Sequence, residues 1–84
     1  MKKYIYRAFH TRDGEREYYH KGVHVIDQDQ DTKEFVYELC MNFWSDRGDE
    51  EKECSWWFMG EIITSVYDYK EITKEEYNIL NRFL

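Results

Sequence analysis

The chain has 84 residues, enough for one domain but near the lower limit of what folds without disulfides, a metal or a partner. Aromatic residues make up 19% of it, so a few large rings can form a small core. The formal net charge of -6 disfavours nonspecific binding to nucleic acid or anionic membranes and favours basic partners.

The sequence shows no targeting or membrane-spanning pattern. Residues 1–9 mix Lys, Tyr and Arg where a signal peptide would be apolar, and no apolar run approaches the roughly 20 residues needed to span a bilayer. Cys40 and Cys54 are too few for a disulfide framework and suit a reducing compartment, although an exported protein could join them in one bridge. We therefore expect a cytoplasmic protein.

The first two elements are predicted to form a β-hairpin. Residues 2–10 and 15–26 flank Asp13-Gly14, a dipeptide that tolerates the positive φ of a tight turn. A two-residue loop at this dipeptide pairs Tyr4 with Val23. The face predicted to join the core contains Tyr4, Ala8, Tyr19, Val23 and Val25. The other face, predicted to meet solvent, is more polar and contains Ile5, Arg7, Phe9, Tyr18, His20 and His24.

A helix is predicted from Thr32 to Ser45. Asp31 is a suitable N-cap, and Glu34 follows it at the spacing of a capping box. The stripe predicted to pack on the sheet consists of Phe35, Val36, Leu39, Cys40 and Phe43. A second stripe of Tyr37, Met41 and Trp44 lies beside it, and we expect part of this stripe to be exposed.

The rest of the chain predicts more sheet and a second helix. Gly48 ends the first helix, and residues 46–53 are predicted to form an acidic loop. Residues 55–72 are rich in β-branched and aromatic side chains. Gly60 marks either a bulge in one long strand or a turn between two strands. We favour two strands, of which the second is predicted to be central. Thr73 opens a helix from Lys74 to Phe83 through a capping box.

These elements predict a single small α+β domain over residues 1–84, in the order ββαβ(β)α. We expect an antiparallel sheet with the first helix on one face and the C-terminal helix at an edge or end.

Two metal-binding patterns are present in part. Asp27, Asp29, Asp31 and Glu38 occupy positions 1, 3, 5 and 12 of a calcium loop, but Thr32 stands at position 6, where the EF-hand pattern requires glycine. The alternative, which we favour, is a solvated linker with an N-cap. Zinc binding by the histidines and cysteines is disfavoured, since positions i and i+4 of a strand lie about 13 Å apart.

Nothing in the sequence predicts catalysis. Nucleophile elbows, Gly-rich phosphate loops and the glutamate-histidine zinc motif are all missing from the sequence. Cys40 lies on the predicted buried stripe, so it is interpreted as a structural thiol. We expect neither an enzyme nor a cofactor.

The excess negative charge is confined to residues 27–53. This segment contains 10 acidic and 3 basic side chains, a net of -7, whereas the rest contains 8 acidic and 9 basic ones. A carboxylate-rich rim around large aromatic rings suits a basic protein partner. The predicted partner-binding residues are Glu38, Trp44, Asp46, Asp49, Glu50, Glu51, Glu53, Trp56 and Trp57. The alternative is that the carboxylates only solvate the helix and the tryptophans belong to the core.

Two neighbouring tryptophans refine this prediction. Trp56 and Trp57 point to opposite faces if the chain is extended, so a one-sided core cannot hold both. One of them is therefore predicted to be an exposed anchor.

A second hypothesis places nucleic-acid binding on the hairpin. Residues 1–26 carry six basic and three acidic side chains, and the aromatic residues interleaved with them are Tyr6, Phe9, Tyr18 and Tyr19. The rings could stack on bases while Arg7, Arg12 and Lys21 contact phosphates. The net charge of +3 is far below that of typical nucleic-acid binders, and the acidic half of the chain would repel the strand.

We therefore expect a noncatalytic protein-protein interaction module whose acidic face binds a basic surface. In size, charge and lack of catalytic motif, the chain resembles the small inhibitors encoded by phages and mobile elements. These include anti-CRISPR and anti-restriction proteins that mimic the charge of nucleic acid. The resemblance is one of class and assigns no residue a role. It implies a partner whose basic surface otherwise binds nucleic acid.

Overall fold

A computed structural model describes residues 1–44 and 46–84. The elements are β1 (Lys2–Asp13), β2 (Arg16–Asp27), α1 (Thr32–Met41), β3 (Asp49–Lys52), β4 (Ser55–Phe58), β5 (Ile62–Ile72) and α2 (Lys74–Phe83). The described strands form one antiparallel sheet in the order β2-β1-β5-β4-β3. The predicted α+β class, the division of residues 55–72 into two strands and the central position of the second are confirmed.

The β1–β2 hairpin turns one residue later than predicted. Its loop is Gly14-Glu15, so that Asp13 opposes Arg16 and Tyr4 opposes Val25 rather than Val23. Gly14 has a φ of 63°, which a glycine adopts without the clash that a Cβ atom would cause. Because each β1 residue changes partner by two positions, the residues that share a face stay the same.

The prediction of which hairpin face joins the core is wrong. Ile5 and Phe9, assigned to the solvent face, are completely buried, whereas Tyr19 and Val25 of the predicted core face are exposed. The buried cluster between α1 and the sheet consists of Ile5, Phe9, Ile26, Val36, Cys40, Trp56 and Phe58. The main core therefore lies on the face that carries the hairpin's polar residues.

Arg7 explains how that polar face can be covered. Its guanidinium lies 4.6 Å from the centre of the Phe9 ring, donates through Nη1 to the carbonyl oxygen of His20 at 2.7 Å, and donates through Nε to Nε2 of His24 at 3.1 Å. Gly22 makes room for it, since a Cβ atom there would lie 2.7 Å from Arg7 Nη2. The cation is thus satisfied inside the fold, because buried polar groups need such partners.

A chain of hydrogen bonds crosses the same face. Trp44 donates its indole N–H to Thr64 Oγ1 at 2.7 Å, Thr64 and Thr11 share a bond of 2.9 Å, and Thr11 Oγ1 lies 3.0 Å from His20 Nε2. Thr11 and Thr64 are fully buried. The chain fixes the segment after α1 against three strands, since each bond satisfies a polar atom that water cannot reach.

Both helices begin where predicted, but α1 is shorter than predicted. Asp31 accepts a hydrogen bond from the backbone N–H of Glu34 at 2.9 Å, and α1 ends at Met41. The predicted end, Ser45, lies outside the described residues.

The C-terminal helix α2 lies near one edge of the sheet, as predicted. Thr73 and Glu76 form the predicted capping box. α2 packs on the second face of the sheet, where the ring of Tyr77 lies 5.1 Å from that of Tyr4. It contacts β1 and the edge strand β2. Each face of the sheet is therefore covered by one helix.

Candidate partner-binding surface

The outer side of α1 presents two unpaired carboxylates. Glu34 and Glu38 are one turn apart and exposed, and no ion pair involves either of them in the described part of the chain. Val36 and Cys40 face the core, while Tyr37 and Met41 are half-buried at the border between the two sides. Like charges at i and i+4 destabilise a helix slightly, so a cation bound between them is favourable.

β4 forms the opposite wall of this surface through Trp56, and β3 pairs with β4 beside it. The predicted acidic loop is partly a strand here, because residues 49–52 pair with β4 and place Glu50 directly opposite Trp56. Gly48 permits this approach, since a Cβ atom there would lie 2.7 Å from the Phe58 ring and 2.8 Å from Trp56 Cβ. Because cross-strand partners share a face, Glu50 stands beside Trp56 on the side of α1.

Between these two walls lies a groove of about 470 Å³, which we call the α1–β4 groove. Trp56 is only 6% exposed and forms its floor, and its ring packs edge-on to Tyr37 at 5.7 Å. The complete lining is Asp31, Lys33, Glu34, Tyr37, Glu38, Met41 and Trp56. The groove thus combines an aromatic and thioether floor with a carboxylate rim.

Lys33 is an example of a cation that contacts the residues in and beside this groove. Its Nζ lies 5.4 Å from the centre of the Tyr37 ring and 3.5 Å from Glu53 Oε1. The oxygen of Tyr37 and the carboxylate of Glu53 raise the pKa of Lys33, while burial raises the pKa of Tyr37. The raised pKa of Lys33 therefore reflects the negative groups around it, whereas the raised pKa of Tyr37 reflects its removal from water.

The nine predicted partner-binding residues do not form one surface. Four of them, Glu38, Glu50, Glu53 and Trp56, lie in or beside the α1–β4 groove. Trp57 opposes Asp49 on the other face of the sheet and is 38% exposed, and Glu51 lines a separate pocket with residues of that face. The prediction that the two neighbouring tryptophans point to opposite faces is confirmed, with Trp57 as the exposed ring.

The remaining two residues, Trp44 and Asp46, lie after α1. Trp44 is half-buried, its N–H is bonded to Thr64, and its ring packs edge-on to His20 at 5.7 Å. Asp46 is exposed and bridges to Trp44 through the backbone. Trp44 is thus engaged by the fold, and its position does not support its predicted role in partner binding.

Sequence reasoning missed several residues of the groove. The sequence pattern predicts capping roles for Asp31 and Glu34 and a second apolar stripe for Tyr37 and Met41, and it predicts no role for Lys33. Their spacing contained the signal, because Glu34, Tyr37, Glu38 and Met41 stand at i, i+3, i+4 and i+7 and share one side of a helix.

The calcium pattern is divided by the fold. Asp27 ends β2 and pairs with Lys2, which lowers the pKa of its carboxyl, whereas Asp31 caps α1. Glu38 lies two turns into the helix. Within residues 1–44 and 46–84, no group of three or more His, Cys, Asp or Glu side chains is placed to hold a metal ion.

A second pocket, of about 250 Å³, lies on the α2 face of the sheet. It is lined by His10, Arg12, Glu51, Lys52, Ser55, Ile63 and Ser65. Ser55 and Ser65 bond to each other at 2.6 Å, and His10 Nε2 lies 3.2 Å from Glu17 Oε1. No serine bonds to a histidine among the described hydrogen bonds, so this pocket lacks the nucleophile-base contact of acyl-transfer catalysis.

Neither described cysteine forms a disulfide, and their environments differ. Cys40 is completely buried, and burial raises the pKa of its thiol to about 12. Since the thiolate is the reactive form, Cys40 is a poor nucleophile in the folded chain. This agrees with its interpretation as a structural thiol.

No helix among the described residues is long and apolar enough to cross a bilayer. A comparison of the chain with protein-family models, curated proteins and solved structures finds no match in any of the three.

Proposed function

We propose that this protein is a noncatalytic interaction module that binds a basic surface of another protein through the α1–β4 groove. The observation that carries the proposal is the groove itself, with the rings of Trp56 and Tyr37 at its base and Glu34 and Glu38 on its rim. Glu50 lies next to the groove, opposite Trp56 on the neighbouring strand. An apolar base surrounded by a polar rim is the general arrangement of a protein interface.

Arginine and lysine are the side chains that this groove suits. A guanidinium can stack on an aromatic ring and form two parallel hydrogen bonds with a carboxylate. The ammonium of Lys33 already makes the weaker, solvent-exposed version of this contact with Tyr37 and Glu53. A partner's basic side chain has the two free carboxylates of α1 in addition.

The nature of the partner follows from the same charges. A protein surface rich in Arg and Lys is the kind that otherwise contacts nucleic-acid phosphates. A segment with a net charge of -7 competes for such a surface. We therefore propose an inhibitor of a nucleic-acid-binding protein, in keeping with the phage and mobile-element inhibitors that the chain resembles.

The hairpin hypothesis of nucleic-acid binding loses two of its residues in this structure. Arg7 is bonded to His20 and His24 inside the fold, and Phe9 is completely buried. Arg12 and Lys21 remain exposed, but Arg12 lies 4.0 Å from Glu17. These contacts favour the acidic groove as the functional surface.

A matched pair of charge reversals tests the proposal. The groove variant Glu38→Lys/Glu50→Lys and the control Glu15→Lys/Glu61→Lys change the net charge equally at exposed positions. With a fluorescent decapeptide of arginine as the probe, association with the groove variant should be at least about tenfold slower than with the control, because the local field steers the encounter.

Two results would contradict the proposal. Equal losses in the groove and control variants would show that only net charge matters. Salt-sensitive binding of a single-stranded oligonucleotide that depends on Arg12 and Lys21 would support the hairpin hypothesis instead.

A further inference from the structure

The two edges of the sheet are unlike each other. β3 forms one edge with only four residues, Asp-Glu-Glu-Lys, and such short charged strands discourage pairing with another chain. β2 forms the other edge with 12 residues, among which Tyr18, Tyr19 and Val25 are 43%, 55% and 42% exposed. A long edge strand with exposed aromatic and β-branched side chains can receive a further strand.

The hairpin geometry shows which backbone groups of β2 face outward. A two-residue loop is closed by a hydrogen-bonded pair, here Asp13 and Arg16, and bonded pairs alternate with non-bonded pairs along the ladder. The bond from Gln28 N–H to the Met1 carbonyl at 3.1 Å fits this alternation. The backbone groups of Glu17, Tyr19 and Lys21 therefore point away from β1.

We propose that β2 pairs with β2 of a second copy of this chain, antiparallel, around a twofold axis at Tyr19. In this register Glu17 lies directly opposite Lys21 of the second copy, and the twofold axis repeats the pair. The outward-pointing backbone groups of Glu17, Tyr19 and Lys21 in one copy then lie opposite those of Lys21, Tyr19 and Glu17 in the other. Their N–H and C=O groups can therefore form paired hydrogen bonds. Tyr19 meets its own copy on the same face, and Tyr18 meets His20 on the other face.

Charge selects this register over its neighbours. An axis at Lys21 would place two lysines directly opposite each other, and an axis at Gly22 would place Glu17 opposite Asp27. Like charges at directly opposed positions are destabilising, whereas opposite charges are stabilising. An axis at His20 would place neither Glu17 nor Lys21 opposite a charged residue. Among these registers, only the axis at Tyr19 joins each carboxylate with an ammonium.

The strongly acidic segment of the chain lies away from this contact. Residues 1–26 carry a net of +3, and the excess negative charge lies in residues 27–53. Since β3 and β2 are opposite edges, the two copies of β3 stand at the far ends of the joined sheet. In this register residues 16–22 of one copy pair with residues 22–16 of the other. Seven residues from each copy make an interface below the standard size, so we expect a transient dimer with a micromolar dissociation constant.

Sedimentation equilibrium over about 10 to 500 µM, in low salt, tests the inference. The wild-type mass should rise with concentration from 10.5 kDa towards twice that value. Lys21→Glu should raise the dissociation constant at least about tenfold, since both cross-strand pairs become repulsive. Lys70→Glu, an exposed position on β5 with the same charge change, should leave the dissociation constant near that of the wild type.

The exchanged variant Glu17→Lys/Lys21→Glu decides the register. It should restore the dimer that either single substitution weakens, because the opposed charges are again complementary. Circular dichroism confirms that each variant is folded. A wild-type chain that stays monomeric up to 500 µM would overturn the inference, as would a dimer that Lys21→Glu leaves intact or that the exchanged variant does not restore.

Discussion

The two helices have the same length and similar starts, yet the fold holds them differently. Both have ten residues and begin after a capping side chain. α1 buries Val36 and Cys40 completely, whereas α2 buries no residue and leaves Ile79 57% and Phe83 80% exposed. A cap fixes where a helix begins, but the apolar face that it buries decides how firmly it is held.

The largest difference is expected from truncating one side chain on each helix. Val36→Ala should lower the free energy of unfolding by about 2 kcal/mol, because it removes two methyl groups from a fully packed site. The control Ile79→Ala removes more atoms but from an exposed position, so its effect should stay within about 0.5 kcal/mol. Urea unfolding measures both, and equal costs would refute the contrast.

Removal of the two helix caps should have a smaller effect on stability than Val36→Ala, and it should affect α1 and α2 in different ways. Asp31→Ala and Thr73→Ala each remove one side-chain hydrogen bond to a helix N-terminus, at a cost of about 1 kcal/mol to the helix. For α1 this cost should appear in global unfolding, because the helix is part of the core. For α2 it should appear mainly as faster hydrogen exchange of residues 76–83, since a weakly buried helix can fray alone. A global loss from both substitutions would show that α2 is part of the core unit.

The smallest effect is expected on mild acidification. Burial lowers the pKa of His20 and His24, and the charge of Arg7 lowers both further. The unfolded histidines therefore bind protons first, so stability is full above about pH 6.5 and decreases as the pH falls below that value. Because these rings pack on Phe43 and Phe35, protection should be lost first near α1.

The capping box of α2 should be lost at a lower pH than the contacts of His20 and His24. Hydrogen bonds with Thr73 lower the pKa of Glu76, so the capping box keeps its contribution above about pH 4.5 and loses it as the pH falls further. Hydrogen exchange at pH 7.5, 6.0 and 4.5 separates the two responses. Simultaneous loss of both helices near pH 6 would contradict the assignment, as would an unchanged pH profile in His20→Gln/His24→Gln.

Local signals in the sequence predicted the elements well, whereas the choice of the buried face depended on contacts between distant residues. The hairpin, both caps and the division at Gly60 follow from neighbouring residues. Arg7, His20 and His24 made one hairpin face look like a solvent face. That face is nevertheless buried, since Arg7 finds its hydrogen-bond partners across the strand pair and stacks on Phe9.

The candidate site was predictable in charge but not in shape. The excess of carboxylates in residues 27–53 is evident from composition, and helical spacing could have grouped Glu34 with Glu38. Pairing Glu50 with Trp56 requires the register of β3 on β4, which no local pattern specifies. The close approach at Gly48 likewise depends on where β4 lies.

The reactivity of the Cys40 thiol reports how often α1 separates from the sheet. Its sulfur donates to the Thr64 carbonyl at 3.7 Å, and its pKa of about 12 leaves almost no thiolate while α1 covers the sheet. Separation of α1 from the sheet returns the thiol to water, where it ionises in the ordinary range. Oxidants and alkylating reagents therefore react with Cys40 only when local unfolding separates α1 from the sheet. Cys54 is half-buried and lies outside the core, so it reacts before Cys40.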